Sequence, residues 1–154
     1  MPSRKSFPAP VRPGKKLRVA AGYQVFISHS SFDKWIAQQL AKEMAALGVK
    51  TWLDEKDLAG GDILVQKILK GIQACQEALV LVSPKSLESQ WVAFEIGAAR
   101  SRKKRVTPVL INVPPEALKV AVDLKAIDLN DLDKFLAQLK ERSRQQKSRQ
   151  QRKG

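Results

Sequence analysis

Apolar and polar positions follow two rhythms along the chain. The run Tyr23-Gln-Val-Phe-Ile-Ser28 is short and β-rich and predicts a first strand. A polar break at Ser28–Ser31 follows it. Ser30-x-x-Asp33 has the spacing of a capping box, and Trp35, Ile36, Leu40, Met44 and Leu47 then recur at helical intervals. Gly48 suits the position just past that helix. Val49–Leu53 predicts a second strand, and Asp54–Asp62 a loop turning at Gly60-Gly61. A second helix is expected through Ile63, Ile68, Leu69 and Ile72. Ala78–Val82 is wholly apolar, as a central parallel strand should be, and Ser83–Ser86 breaks it. A third helix is expected from near Ser89 to about Arg102. Val106–Val113 predicts a fourth strand, in which Pro108 argues for an irregular or edge position. Ala126–Leu129 is a weak fifth strand. A last helix is expected from Asp131 to about Arg142, with Leu132, Phe135, Leu136 and Leu139 on one face.

Five strands alternating with helices predict an α/β domain: a flavodoxin-like, five-stranded parallel sheet of order 2-1-3-4-5 with helices on both faces. In that order the chain reverses direction between strands 1 and 3, and ligands gather beyond the carboxyl ends of the strands there. The residues presented at that place are Ser28–Ser31, the loop 54–62, Ser83–Ser86 and the start of the third helix.

Charge divides the chain further. The net charge of +13 over 154 residues suggests a nucleic-acid partner until it is located. Residues 1–20 carry +6 and no acid, residues 139–154 again +6, and the stretch between them only +1. The expected organisation is therefore a basic, proline-containing arm at 1–20, a near-neutral domain at 21–142, and a basic, solvated tail of frayed helix or coil at 143–154. A single Cys excludes an internal disulfide and fits a cytoplasmic setting. With one His, it also argues against a zinc site. No run is long and apolar enough to span a membrane, and Met1–Arg18 lacks the apolar core of a secretory signal.

Several enzyme classes lose support on motif grounds. There is no G-x-G-x-x-G after the first strand, no phosphate loop of the G-x-x-x-x-G-K-[ST] type, and no G-x-S-x-G elbow. Ser28 and His29 are adjacent on an extended segment and face opposite ways, so they do not pair as a hydrolytic couple. Cys75 lies on an apolar helix end, as a core residue would.

Three stretches carry a family resemblance. Tyr23-Gln-Val-Phe-Ile-Ser-His-Ser-Ser-Phe-Asp33 resembles the opening strand and loop of Toll/interleukin-1 receptor (TIR) domains. Val49-Lys-Thr-Trp-Leu-Asp-Glu-Lys-Asp-Leu-Ala-Gly-Gly-Asp62 resembles their second strand and the functional loop after it. Val80-Leu-Val-Ser-Pro-Lys-Ser-Leu-Glu-Ser-Gln-Trp-Val-Ala-Phe-Glu95 resembles their third strand and third helix. The likeness covers roughly residues 22–140; it departs at Ala59-Gly60-Gly61, where the family often has Pro-Gly.

The resemblance implies a function. Some TIR domains are scaffolds that bind other TIR domains, and others cleave NAD at the nicotinamide–ribose bond. The cleaving members share Trp-x-x-x-Glu on the third helix, here Trp91 and Glu95. Residues i and i+4 lie on one helical face. Glu95 is thus the expected catalytic residue. A carboxylate suits the oxocarbenium-like ribose left when nicotinamide departs. Trp91 is expected to stack on a ring or wall the pocket. Position alone puts Phe26, Ser28, His29 and Ser30 at the nicotinamide end, and Asp54 and Leu58 complete the expected substrate-binding set. The loop acids Asp54, Glu55, Asp57 and Asp62 read as solvated or helix-capping groups rather than a metal site. NAD is then a substrate, with no cofactor and no metal. The favoured expectation is a cytoplasmic, prokaryotic-type NAD glycohydrolase or cyclase in antiviral defence, activated by self-association through the 54–62 loop. The rivals are a non-enzymatic TIR scaffold, and a nucleic-acid binder acting only through the basic tails. No membrane partner is expected.

Overall fold

The protein is described from a computed structural model covering residues 22–53, 64–119 and 123–154. The elements run β1 (Gln24–Ser28), α1 (Lys34–Ala46), β2 (Lys50–Leu53), α2 (Leu64–Ala74), β3 (Glu77–Val82), α3 (Gln90–Ser101), β4 (Arg105–Leu110), β5 (Ile127–Asp128) and α4 (Leu132–Arg152). All strand pairs are parallel, and the order is β2-β1-β3-β4-β5, as the alternation of strands and helices predicts.

Period-2 alternation splits the sheet into two cores. Val25, Ile27, Leu79, Leu81 and Val109 pack with Ala37, Leu40 and Met44 of α1 and Phe135 and Leu139 of α4. Phe26, Ala78, Val80, Val82 and Leu110 pack with Ile68 and Ile72 of α2 and Val92, Ile96 and Ala99 of α3. Every residue of β3 is buried, which explains the unbroken apolar run from Ala78 to Val82. Gly48 sits at φ +76° just past α1, where its N–H closes the helix onto the Ala45 carbonyl at 2.9 Å. Gly71 admits the Trp52 ring so closely that a Cβ there would lie 2.7 Å from it. That ring in turn stacks on Phe26, with centroids 4.9 Å apart.

Several expectations need correction; the fourth strand, for one, runs Arg105–Leu110 and stops three residues short of Val113. Ser30 does not cap α1, because its hydroxyl turns to the Asp33 carboxylate instead of a backbone N–H. Pro108 lies within β4, which is flanked on both sides, rather than on an edge strand. The Ile111 N–H donates to Val82 O at 2.8 Å, so by alternation the N–H that Pro108 lacks would face β5. The β5 pairing begins only at Val109, so no ladder bond is lost. The third strand starts one residue early, at a buried Glu77. The last helix does not end near Arg142 but continues to Arg152. Its apolar periodicity stops at Leu139, but Gln, Arg and Lys are good helix formers.

Glu77 is held at the amino end of the sheet. It accepts from the Tyr23 hydroxyl, from Arg142 Nε at 2.8 Å and from Arg142 Nη2 at 2.9 Å. Burial, then the contact with Glu77, pushes the Tyr23 phenol up to about 12. Burial works against the Arg142 charge, but its bonds to Glu77 outweigh that and raise its pKa. This trio ties α4 to β3 and to the residue that leads into β1.

Candidate functional site

The carboxyl ends of β1 and β3 and the first turns of α3 meet where the strand order reverses. Ser28 has the parity of Phe26, so its side chain lies on the face covered by α3. On α3, Val92, Ile96 and Ala99 anchor the helix to the sheet, and Glu95 falls on the same buried stripe. The Ser28 hydroxyl donates to Glu95 Oε2 across 67 positions of sequence. Glu95 is only 2% exposed and Ser28 is fully buried. A carboxylate in such a place exerts a stronger field than one in water.

A second carboxylate organises the adjoining loops. Asp33, 7% exposed, accepts at Oδ2 from both Ser30 Oγ and Ser83 Oγ, each at 2.6 Å. Ser83 N donates to Ser86 Oγ at 2.7 Å, Ser86 N to Ser83 Oγ at 3.2 Å, and Ser86 Oγ to Ser83 O at 3.0 Å. The loop after β1 is thereby locked to the turn that leads into α3. His29 Nδ1 lies 2.8 Å from the Ser30 carbonyl oxygen, an acceptor only, so that nitrogen carries the proton.

Of the residues expected to form the site, Ser28, His29, Ser30 and Glu95 come together here, all buried. Trp91 is in the first turn of α3, one turn before Glu95. Phe26 is elsewhere: it is 1% exposed, within the core under α2 and stacked on Trp52, so it supports the site from beneath rather than lining it. Asp54 and Leu58, with the rest of the 54–62 loop, lie outside the described residues. Ser83–Ser86 lie where the sequence places them, but the network through which Asp33 joins Ser30 to Ser83 was not foreseen. Its one signal is the Ser30-x-x-Asp33 spacing, which reads equally well as a helix cap. Burial pushes the Cys75 thiol up to about 12, against a weaker pull from Lys104, and the side chain is packed in the α2–α3 core. Among the described residues, no group of three or more His, Cys, Asp or Glu is placed to hold a metal ion, and no helix is long and apolar enough to cross a membrane.

A family model described as TIR domain matches residues 25–142. A probable 2′ cyclic ADP-D-ribose synthase from Brachypodium distachyon is 27% identical over 124 residues, which cover 77% of this chain and 55% of that protein. A 2′ cyclic ADP-D-ribose synthase from Acinetobacter baumannii is 34% identical over 92 residues, covering 56% of this chain and 34% of that protein. The chain thus spans about half the length of the first relative and about a third of the second. Among solved structures, the TIR domain of a Toll-related receptor from Hydra magnipapillata is similar with a TM-score of 0.62 at 19% identity, over 81% of this chain and 98% of that one.

Proposed function

Because this chain belongs to the TIR domain family, we propose that it cleaves NAD at the nicotinamide–ribose bond, with Glu95 as the catalytic residue. One observation carries the reading. A buried carboxylate stands at the strand-order reversal of the sheet, held by a hydroxyl from the neighbouring strand. The names of the relatives, synthases of a cyclic ADP-ribose, support the same chemistry.

In this reading the bond between ribose C1′ and the pyridinium nitrogen breaks, and its electron pair leaves with nicotinamide, which departs neutral. No strong general acid is needed. The ribose is left cationic, and the Glu95 carboxylate stabilises it through a low-dielectric environment. Ser28 fixes one carboxylate oxygen, so little reorganisation is required as charge develops. A ribose hydroxyl is a donor of the same kind as the Ser28 hydroxyl, so the site is already shaped for an O–H donor. Water attacking C1′ and losing a proton to solvent gives ADP-ribose; an internal nucleophile attacking C1′ gives a cyclic product, either an adenine nitrogen or, for the 2′ product in the relatives' names, the 2′-hydroxyl of the adenosine ribose, which loses its proton. Trp91, Ser28, His29, Ser30, Asp54 and Leu58 are assigned to substrate binding, Phe26 to the packing beneath them. We place this activity in antiviral defence, switched on by self-association through the 54–62 loop.

The test is incubation with NAD and identification of products, for the parent chain and Glu95→Gln. The parent is expected to release nicotinamide at a rate per molecule that rises with protein concentration, and the variant to release none above background. Equal release by both would remove Glu95 from the chemistry. No release by the parent at high concentration would leave a scaffold TIR domain.

A further inference from the structure

Among the described residues, the last two and a half turns of α4 contribute no buried side chain to the domain. Ser143, 4% exposed, is the final buried residue of the helix. From Arg144 onward the side chains are exposed, except half-buried Gln146, yet the helix runs on to Arg152. Those nine residues extend about 13 Å beyond the last packed turn. Residues 144–154 carry Arg144, Lys147, Arg149, Arg152 and Lys153, with no acid and no apolar side chain. Arg144, Arg149 and Arg152, together with Gln145, Ser148 and Glu141, line a hollow of about 270 Å³ on one side of this helix. Glu141 sits at its inner end, 4.0 Å from Arg144 Nη1 and 3.5 Å from Gln145 Nε2.

We propose that this projecting end of α4 is a docking surface for the phosphate backbone of a nucleic-acid duplex. The charge is complementary, and arginine forks with glutamine and serine donors are the side chains that hold phosphate oxygens. A single helix also fits the width of a duplex major groove. The composition disfavours the other partners of a basic helix. Membrane-surface helices bury an apolar face, and protein interfaces bury an apolar centre; this segment has neither. The helix also carries internal repulsion that a polyanion relieves. Arg144 and Lys147, Arg149 and Arg152, and Arg149 and Lys153 all fall three or four residues apart, where like charges destabilise a helix. Docking is expected to be independent of base sequence, since no aromatic side chain lies in the segment to stack on a base.

The experiment measures binding of the full chain to a labelled 20-base-pair DNA duplex across a range of salt concentrations. One variant carries Arg144→Gln, Lys147→Gln, Arg149→Gln, Arg152→Gln and Lys153→Gln; a second carries Arg144→Lys, Arg149→Lys and Arg152→Lys. Glutamine preserves helix propensity, and circular dichroism checks that both variants fold. The parent is expected to bind with a steep salt dependence. The glutamine variant should lose up to about 4.5 from the slope of log affinity against log salt, and the lysine variant should keep the parental slope. The helical signal of the parent is expected to rise on binding. The proposal is overturned if the glutamine variant binds with the parental slope, which would give the binding to the basic segment 1–20. It is also overturned if the lysine variant loses the slope too, or if the parent binds phosphatidylserine vesicles and not the duplex.

Discussion

The two ends of the sheet each bury a glutamate, and they treat it differently. At the amino end, Glu77 is gripped by the Arg142 guanidinium through two bonds and by the Tyr23 hydroxyl. At the carboxyl end, Glu95 takes a hydroxyl from Ser28, and neighbouring Asp33 takes hydroxyls from Ser30 and Ser83. A carboxylate clamped by a guanidinium has its charge matched within the fold, and its task is to dock α4. The carboxylates at the other end accept hydroxyls from the segments that surround the strand-order reversal. The same residue type therefore serves architecture at one end and, in the proposed function, chemistry at the other.

The comparison can be broken by changing the partners. Arg142→Met should be the most damaging to stability. It leaves Glu77 buried without its cation, and a loss of about 3–5 kcal/mol is expected in denaturant unfolding. Folded molecules of that variant should retain their NAD turnover. If Arg142→Met unfolds no more easily than the parent, the amino-end glutamate is not a structural anchor. Asp33→Ala strips two buried hydroxyls of their acceptor and should cost about 1–3 kcal/mol. It should also lower activity by loosening the β1 loop, whereas Asp33→Asn, which offers an oxygen to both hydroxyls, should recover most of the loss. Gly71→Ala drives a methyl into the Trp52 ring and should cost about 1–3 kcal/mol.

The smallest effect concerns alkaline pH. Tyr23 and Cys75 are both held protonated by the fold to about 12, above their ordinary values of 10.0 and 9.0. A group with a raised folded pKa contributes stability that is intact below its ordinary value and is lost as the pH climbs towards the folded one. Unfolding free energy should therefore fall from about pH 9 upward. Cys75→Ala should flatten the early part of that fall and Tyr23→Phe the later part. An unchanged pH slope in both variants would contradict the burial assigned to these groups.

Much of this architecture is legible in the chain because its signals are local. The apolar run 78–82, the periodicity of the first helix and Gly48 each act within a few residues. The Trp91–Glu95 spacing likewise puts both residues on one helical face by the helical repeat alone. What escapes is long-range or double-valued. Arg142 and Glu77 are 65 residues apart, and a charged residue gives no local sign that it belongs to a central strand. Ser30 and Asp33 fit a helix cap as well as a buried network, and only Ser83, 50 positions away, decides between them. Nearness to the β1 loop suggests a site role for Phe26, but its burial and the Trp52 ring stacked on it put it in the core. The extension of α4 has no apolar rhythm to reveal it.

The most direct measurement sets the two glutamates side by side: nicotinamide release per folded molecule for Glu95→Gln and Glu77→Gln, with folding checked by circular dichroism. Glu95→Gln is expected to stay folded and to lose turnover on the order of 100-fold or more. Glu77→Gln is expected to be less stable but to turn over NAD normally when folded. Parental turnover in Glu95→Gln, or an equal loss in both variants, would contradict the roles given to the two glutamates.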